Sequence, residues 1–80
     1  MRVTVRTFAQ LRELSVDRSE LELNDGATLA EAWNALEASH PALAPHRPYA
    51  RGAHNGTYAP WDTPLAEGDD VAFMAAAPGG

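Results

Sequence analysis

The chain has 80 residues, with eleven acidic residues against six arginines, no lysine and no cysteine, and a formal net charge of −5. That length suits one domain with a modest core, and the missing cysteines exclude disulfides, a thiolate nucleophile and a sulfur-ligated metal. Scattered arginines on an acidic chain exclude the basic stripe that nucleic acid requires, and no apolar run approaches the roughly 20 residues of a membrane span.

Arg2 to Thr7 alternates strictly, with Val3 and Val5 on one side and Arg2, Thr4 and Arg6 on the other, which predicts a half-buried strand. The strand lacks the apolar block of a signal peptide, so a cytoplasmic protein is expected. Phe8 breaks the alternation and is expected to end the strand with its ring tucked under the sheet. Ala9 to Leu14 has good helix formers, with Leu11 and Leu14 three apart, enough for one or two turns. Ser19 to Leu23 alternates again and is placed antiparallel to the first strand, with Leu21 and Leu23 inward.

Asn24-Asp25-Gly26 is turn chemistry, and Thr28-Leu29-Ala30-Glu31 fits a capping box. The helix that follows carries Leu29, Ala32, Trp33 and Leu36 as one apolar stripe and is stopped by Pro41. Pro41 to Pro48, with three prolines, is expected to be a loop with a short turn near Leu43. Tyr49 to His54 is the weakest strand, because Gly52 in its middle implies weakness or a bulge. Asn55-Gly56 predicts a reverse turn, Pro60 to Leu65 a structured loop with Trp61 and Leu65 at the core's edge, and Gly68-Asp69 a turn. The last strand places Val71 and Phe73 inward, with Ala72 and Met74 outward.

Hairpin, helix and further strands make a two-layer α+β architecture, with one main helix across one mixed sheet. With the last strand parallel to the first, this is the β-grasp, or ubiquitin-like, roll. The expected division is a domain over residues 1–74 and a flexible tail over 75–80.

The body offers little chemistry. His40, His46 and His54 match no compact metal motif and are expected to be solvated loop histidines, so no metal is expected. Glu20 and Glu22 form an exposed acidic face, the serines have no evident base, and Trp33 belongs to the helix stripe. The end, Ala75-Ala76-Ala77-Pro78-Gly79-Gly80, has no large side chain to bury, and ordering glycine is costly. Two residues without Cβ can thread a channel too narrow for others and leave a terminal carboxylate unscreened. The tail therefore reads as an arm offering the Gly80 carboxylate to another protein's active site.

Phe8-Ala9-Gln10-Leu11-Arg12-Glu13-Leu14 resembles the F-A-x-L-R-E-L signature that follows the first strand in the small subunit of molybdopterin synthase, the MoaD family. Asn55-Gly56-Thr57-Tyr58, Asp62-Thr63-Pro64-Leu65 and Gly68-Asp69-Asp70-Val71 are similar to that family's N-G-x-x, D-x-P-L and G-D-E-V blocks, and the chain ends in Gly79-Gly80. It departs in its tail, where Pro78 stands next to the diglycine instead of the usual P-P-V-x-G-G, and in a polar third strand, Arg51-Gly52-Ala53-His54. The resemblance implies a sulfur carrier with no bound cofactor. Gly80 would be adenylated by a ubiquitin-activating-like adenylyltransferase using ATP and converted to a thiocarboxylate, with Gly79 giving steric access. Ala75, Ala76, Ala77 and Pro78 would be the spacer, and Met74 and Ala72 would add apolar contact at the tail's root. The implied partner is the large subunit of molybdopterin synthase, in a heterotetramer, and the product is the dithiolene of the molybdenum cofactor. The alternatives are a sulfur carrier of another pathway (thiamin, tRNA thiolation or cysteine synthesis) and a ubiquitin-like binding module without carrier chemistry.

Overall fold

A computed structural model describes residues 1–75. Strand β1 (Arg2–Thr7) leads to the short helix α1 (Ala9–Leu14), then β2 (Arg18–Glu22), helix α2 (Leu29–Ser39), a 3-10 helix (Pro41–Tyr49), β3 (Ala50–His54), β4 (Thr57–Ala59) and β5 (Asp70–Ala75). The sheet order is β2-β1-β5-β3-β4. β1 pairs antiparallel with β2 and parallel with β5, and β3 is antiparallel to both β5 and β4. The parallel pair of first and last strands, with the main helix in the crossover, is the predicted β-grasp roll.

Alternation sorts the sheet into two faces. Val3, Val5, Val71 and Phe73 face α2 and are fully buried, as are Leu29, Ala32, Trp33 and nearly Leu36 on the helix stripe. Trp33 meets Phe73 edge-on at 5.2 Å and Trp61 edge-on at 6.0 Å, while Trp61 stacks on Phe73 at 5.8 Å. Leu11 of α1, Leu43 and Leu65 close the ends of this core.

The helix start is tied to the loop that precedes β5. Thr28 Oγ1 accepts the Glu31 N–H at 3.4 Å, the N-cap half of the expected capping box. The two preceding N–H groups go elsewhere: Leu29 donates to the Thr63 carbonyl and Ala30 to the Trp61 carbonyl, each at 2.9 Å. The orphan donors of the first turn thus anchor the loop carrying Trp61, and Leu65 N–H completes the seam on the Ala27 carbonyl at 2.8 Å.

Four local expectations change. Phe8 ends β1, but its ring is 45% exposed. It is the extended N-cap residue of α1, and the following turn, with Ala9 at φ 51°, hands the buried position to Leu11. Pro41 to Tyr49 is a 3-10 helix rather than an open loop, opened by Pro41 at a first-turn position where no N–H is needed. β3 shows no bulge at Gly52: its register runs unbroken against β4 and β5, and the missing side chain leaves room for Leu29. β5 extends through Ala75, which pairs with Ala50, so the sheet runs one residue beyond the expected domain end. The expectations for Ala76 to Gly80 lie outside the described residues.

Candidate functional site

Of the residues singled out at the chain's end, Ala72, Met74 and Ala75 lie within the described part. β5 is the third of five strands in sheet order, held between β1 and β3. It delivers its last residues at one end of the sheet, where Ala75 turns inward against the core and Met74 outward. The described chain therefore ends in a strand held on both sides, which is the root of residues 76–80.

Cross-strand register assembles the surface beside this root. On the face turned away from α2, Ala72 stands opposite Ala53, and Ala53 opposite Tyr58. Tyr58 O–H reaches Met74 Sδ at 3.3 Å. With Gly56 these residues line a shallow hollow of about 300 Å³. Met74 and Ala72 are partly buried rather than fully exposed, while Tyr58 remains 67% exposed.

The three exposed large hydrophobic residues among the described residues are Phe8, Tyr49 and Tyr58. All three border the end of β5. Phe8 N–H donates to the Phe73 carbonyl at 3.2 Å, Tyr49 precedes the Ala50 that pairs with Ala75, and Tyr58 touches Met74. Exposed apolar groups gathered in one place mark an interaction surface, whereas scattered ones do not. Tyr49 and Tyr58 also border a groove of about 460 Å³ that runs along β3 and the β4 edge to Trp61. Arg47 covers the Trp61 ring, with Cζ 3.6 Å from its centroid.

The opposite end of the sheet holds the most connected polar group. His54 Nε2 lies 2.6 Å from Asp69 Oδ2, which also accepts the Ala66 N–H at 2.8 Å. Asn55 Nδ2 donates to Asp69 Oδ1 at 3.2 Å, and Asn55 Oδ1 accepts the Asp70 N–H at 2.8 Å. The hydrogen bond from His54, then those from Ala66 and Asn55, hold the Asp69 carboxyl below its usual range. His54 is thus a strand residue with a carboxylate partner, not the solvated loop histidine expected. The cluster clasps the β3–β4 turn, with Asn55 at φ 50° and Gly56 at φ 88°, to the start of β5. Sequence reading missed it because Asn55 and Asp69 each look like ordinary turn residues until the sheet joins the two turns.

No group of three or more His, Asp or Glu side chains that could hold a metal occurs among the described residues. No helix among the described residues is long and apolar enough to cross a membrane.

Comparison with known proteins agrees with this arrangement. Residues 5–80 match the ThiS family. The molybdopterin synthase sulfur carrier subunit of Mycobacterium tuberculosis is 32% identical over 82 aligned positions, covering 100% of this chain and 99% of that protein. A Pyrococcus furiosus structure, assigned provisionally as molybdopterin converting factor subunit 1, superposes with a TM-score of 0.86 at 28% identity, over 96% of this chain and 99% of that one. SAMP1 of Haloferax volcanii shares the fold at a TM-score of 0.85 and 24% identity, with both chains fully covered. So does a complex of subunits 1 and 2 of the molybdopterin-converting factor of Helicobacter pylori, at a TM-score of 0.69 and 22% identity, again with full coverage of both chains. A ubiquitin-like β-grasp body, an apolar surface at the end of β5 and a match from strand β1 to the final glycines together establish that this chain belongs to the ThiS family.

Proposed function

We propose that this chain is the sulfur-carrier subunit of molybdopterin synthase, with Gly80 as the residue that carries the sulfur. The observation that carries the reading is the layout of the β5 end. β5, held between β1 and β3, is the element that precedes Gly79-Gly80 in the sequence, and exposed Phe8, Tyr49 and Tyr58 border its end. A carrier needs such a layout, because its partner must grip a body while only a narrow segment enters the active site. The full-length similarity to the Mycobacterium sulfur carrier subunit supports the same reading.

The chemistry suits a terminal glycine. A carboxylate resists nucleophiles because its charge is delocalised. An adenylyltransferase overcomes this by joining Gly80 to AMP from ATP, with release of pyrophosphate. A donor persulfide then displaces AMP at the carbonyl carbon to give an acyl disulfide, and a second thiol outside this cysteine-free chain attacks the donor's sulfur, forming a disulfide with it and releasing the thiocarboxylate. The loaded tail passes to the large subunit, where two rounds of sulfur donation to a cyclic pyranopterin monophosphate build the dithiolene. Gly79 supplies steric access and Ala76 to Pro78 the spacer. Ala72 and Met74 supply apolar contact at the root. The Helicobacter pylori complex of subunits 1 and 2 supports a large-subunit partner, and the reading places both subunits in a heterotetramer in the cytoplasm.

The test is intact mass of the protein purified from its own cells, together with the proteins that co-purify. A fraction with one oxygen replaced by sulfur, in company with a molybdopterin synthase large subunit, is expected. A second reading, a carrier serving another sulfur pathway, draws on the ThiS family match, which does not separate one pathway's carrier from another's. It predicts the thiocarboxylate without the large subunit. Absence of any thiocarboxylate would leave a ubiquitin-like binding module.

A further inference from the structure

Residues directly opposite each other on antiparallel strands interact, and like charges in such a pair destabilise the sheet. Arg6 of β1 and Arg18 of β2 are such a pair, and both are exposed on the face turned away from α2. In a chain of net charge −5, two of its six arginines face each other here. Arg6 Nε lies 3.5 Å from Asp70 Oδ1, an open pairing with both side chains 48% exposed. Arg18 forms no ion pair among the described residues. With Phe8 and Asp17 the two arginines line a cleft of about 260 Å³, and Asp17 lies 4.0 Å from Arg12 Nη1.

The pair is continuous with the apolar surface. One row across the sheet reads Arg18, Arg6, Ala72, Ala53, Tyr58, and in the next Met74 stands opposite exposed Arg51. The apolar patch therefore has Arg6 and Arg18 along its β1 edge and Arg51 beside Met74. Acidic groups gather at the other end of the same strands: Glu20 and Glu22 opposite Thr4 and Arg2, and Asp69 and Asp70 at the start of β5.

We infer that Arg6 and Arg18 form a clamp for carboxylates on the protein that docks over the Ala72–Met74–Tyr58 patch, so that the partner presents Asp or Glu side chains beside an apolar contact. This rests on the carrier reading and names the partner's chemistry at its docking surface. Guanidinium groups suit the task because their planar fork matches a carboxylate in two hydrogen bonds. A bound carboxylate also removes the repulsion between the arginines, so the free protein is strained where the complex is not. A long polyanion such as nucleic acid does not fit, because its phosphates would extend over the acidic end of the sheet. A localised acidic cluster on a protein is attracted at short range and meets no such barrier.

The experiment measures binding of the molybdopterin synthase large subunit from the same organism to three proteins: the wild type, Arg6→Gln/Arg18→Gln and Arg6→Glu/Arg18→Glu. It does so at two salt concentrations, alongside urea unfolding of each protein. Charge reversal is expected to weaken binding by about tenfold or more, with the glutamine variant intermediate and less salt-sensitive than wild type. The glutamine variant should be at least as stable as wild type, since the like-charge pair is gone. Equal binding by all three folded proteins overturns the clamp and leaves the carrier reading intact. If the glutamate variant does not fold, the glutamine variant decides by the same criteria. Failure of the wild type to bind the large subunit overturns the carrier reading and this inference with it.

Discussion

Gly52 and Leu29 touch where the sheet meets the helix: a Cβ on Gly52 would stand 2.6 Å from Leu29 Cδ2 and 3.0 Å from its Cγ. Leu29 is fully buried at the first turn of α2, so it can give way only by repacking against its core neighbours. Gly52→Ala should therefore destabilise the domain by about 1–3 kcal/mol, the usual cost of overpacking. Urea unfolding measures this. Leu29→Ala in the same chain should recover part of the loss, so the two changes should fall short of additive. An unchanged urea midpoint for Gly52→Ala would mean that the helix and β3 are less closely packed than described.

Trp33 is the largest fully buried side chain, in edge contact with both Phe73 and Trp61, and its indole N–H donates to Glu37 Oε1 at 2.9 Å. Trp33→Ala should cost about 3–5 kcal/mol, which a domain of this size barely withstands. Trp33→Phe should cost less, because a ring still fills part of the site, although Glu37 loses its donor. Calorimetric melting of the two variants should rank them in that order below wild type.

Asp69 gives the stability a defined acid dependence. Its folded-state pKa lies below the ordinary 3.8, first because of the His54 hydrogen bond and then those of Ala66 and Asn55. A depressed carboxyl pKa stabilises the fold at pH values above its unfolded value, and that contribution fades as pH falls through the folded value. Wild type should thus lose this contribution as pH falls below about 4. Asp69→Asn should be less stable at neutral pH and show a shallower slope in that acid range. Parallel slopes for the two proteins in acid urea titrations would remove Asp69 from the acid response.

Gly80 and Gly79 test the carrier reading apart from the fold. The buried core among the described residues runs from Val3 to Phe73, so deletion of Gly80 should leave thermal stability unchanged. It should still abolish thiocarboxylate formation and sulfur transfer. One residue of extended chain spans about 3.3 Å, and misplacement by 1 Å can cost roughly a hundredfold in rate. Gly79→Val keeps the length, and should impair adenylation or transfer while the body still binds the large subunit. Normal transfer by the Gly80 deletion, assayed with the activating enzyme and ATP, would contradict the proposed function.

The local alphabet carried much of the fold. The Leu29, Ala32, Trp33, Leu36 stripe, the Thr28 cap, the Pro41 stop and the alternation of β1 and β5 were legible because each depends on residues within a few positions of one another. Gly79-Gly80 reads as a candidate tail in the sequence because it offers no side chain to bury, and it lies outside the described residues. What only the tertiary structure decided depends on residues far apart in the chain. Gly52 looked like a weakness in β3 until Leu29 came to rest on it, and Phe8 looked like core until Leu11 took the buried place. His54 with Asp69, and Arg6 with Arg18, are neighbours only through strand register, which a periodicity of two cannot specify. The physical reason is that a side chain's face follows from its own stretch of backbone, whereas its partner follows from which strands pair and in what alignment. Pairing is settled by burial of the whole apolar face at once, so charge clusters and apolar patches that span several strands become visible only when the sheet is assembled.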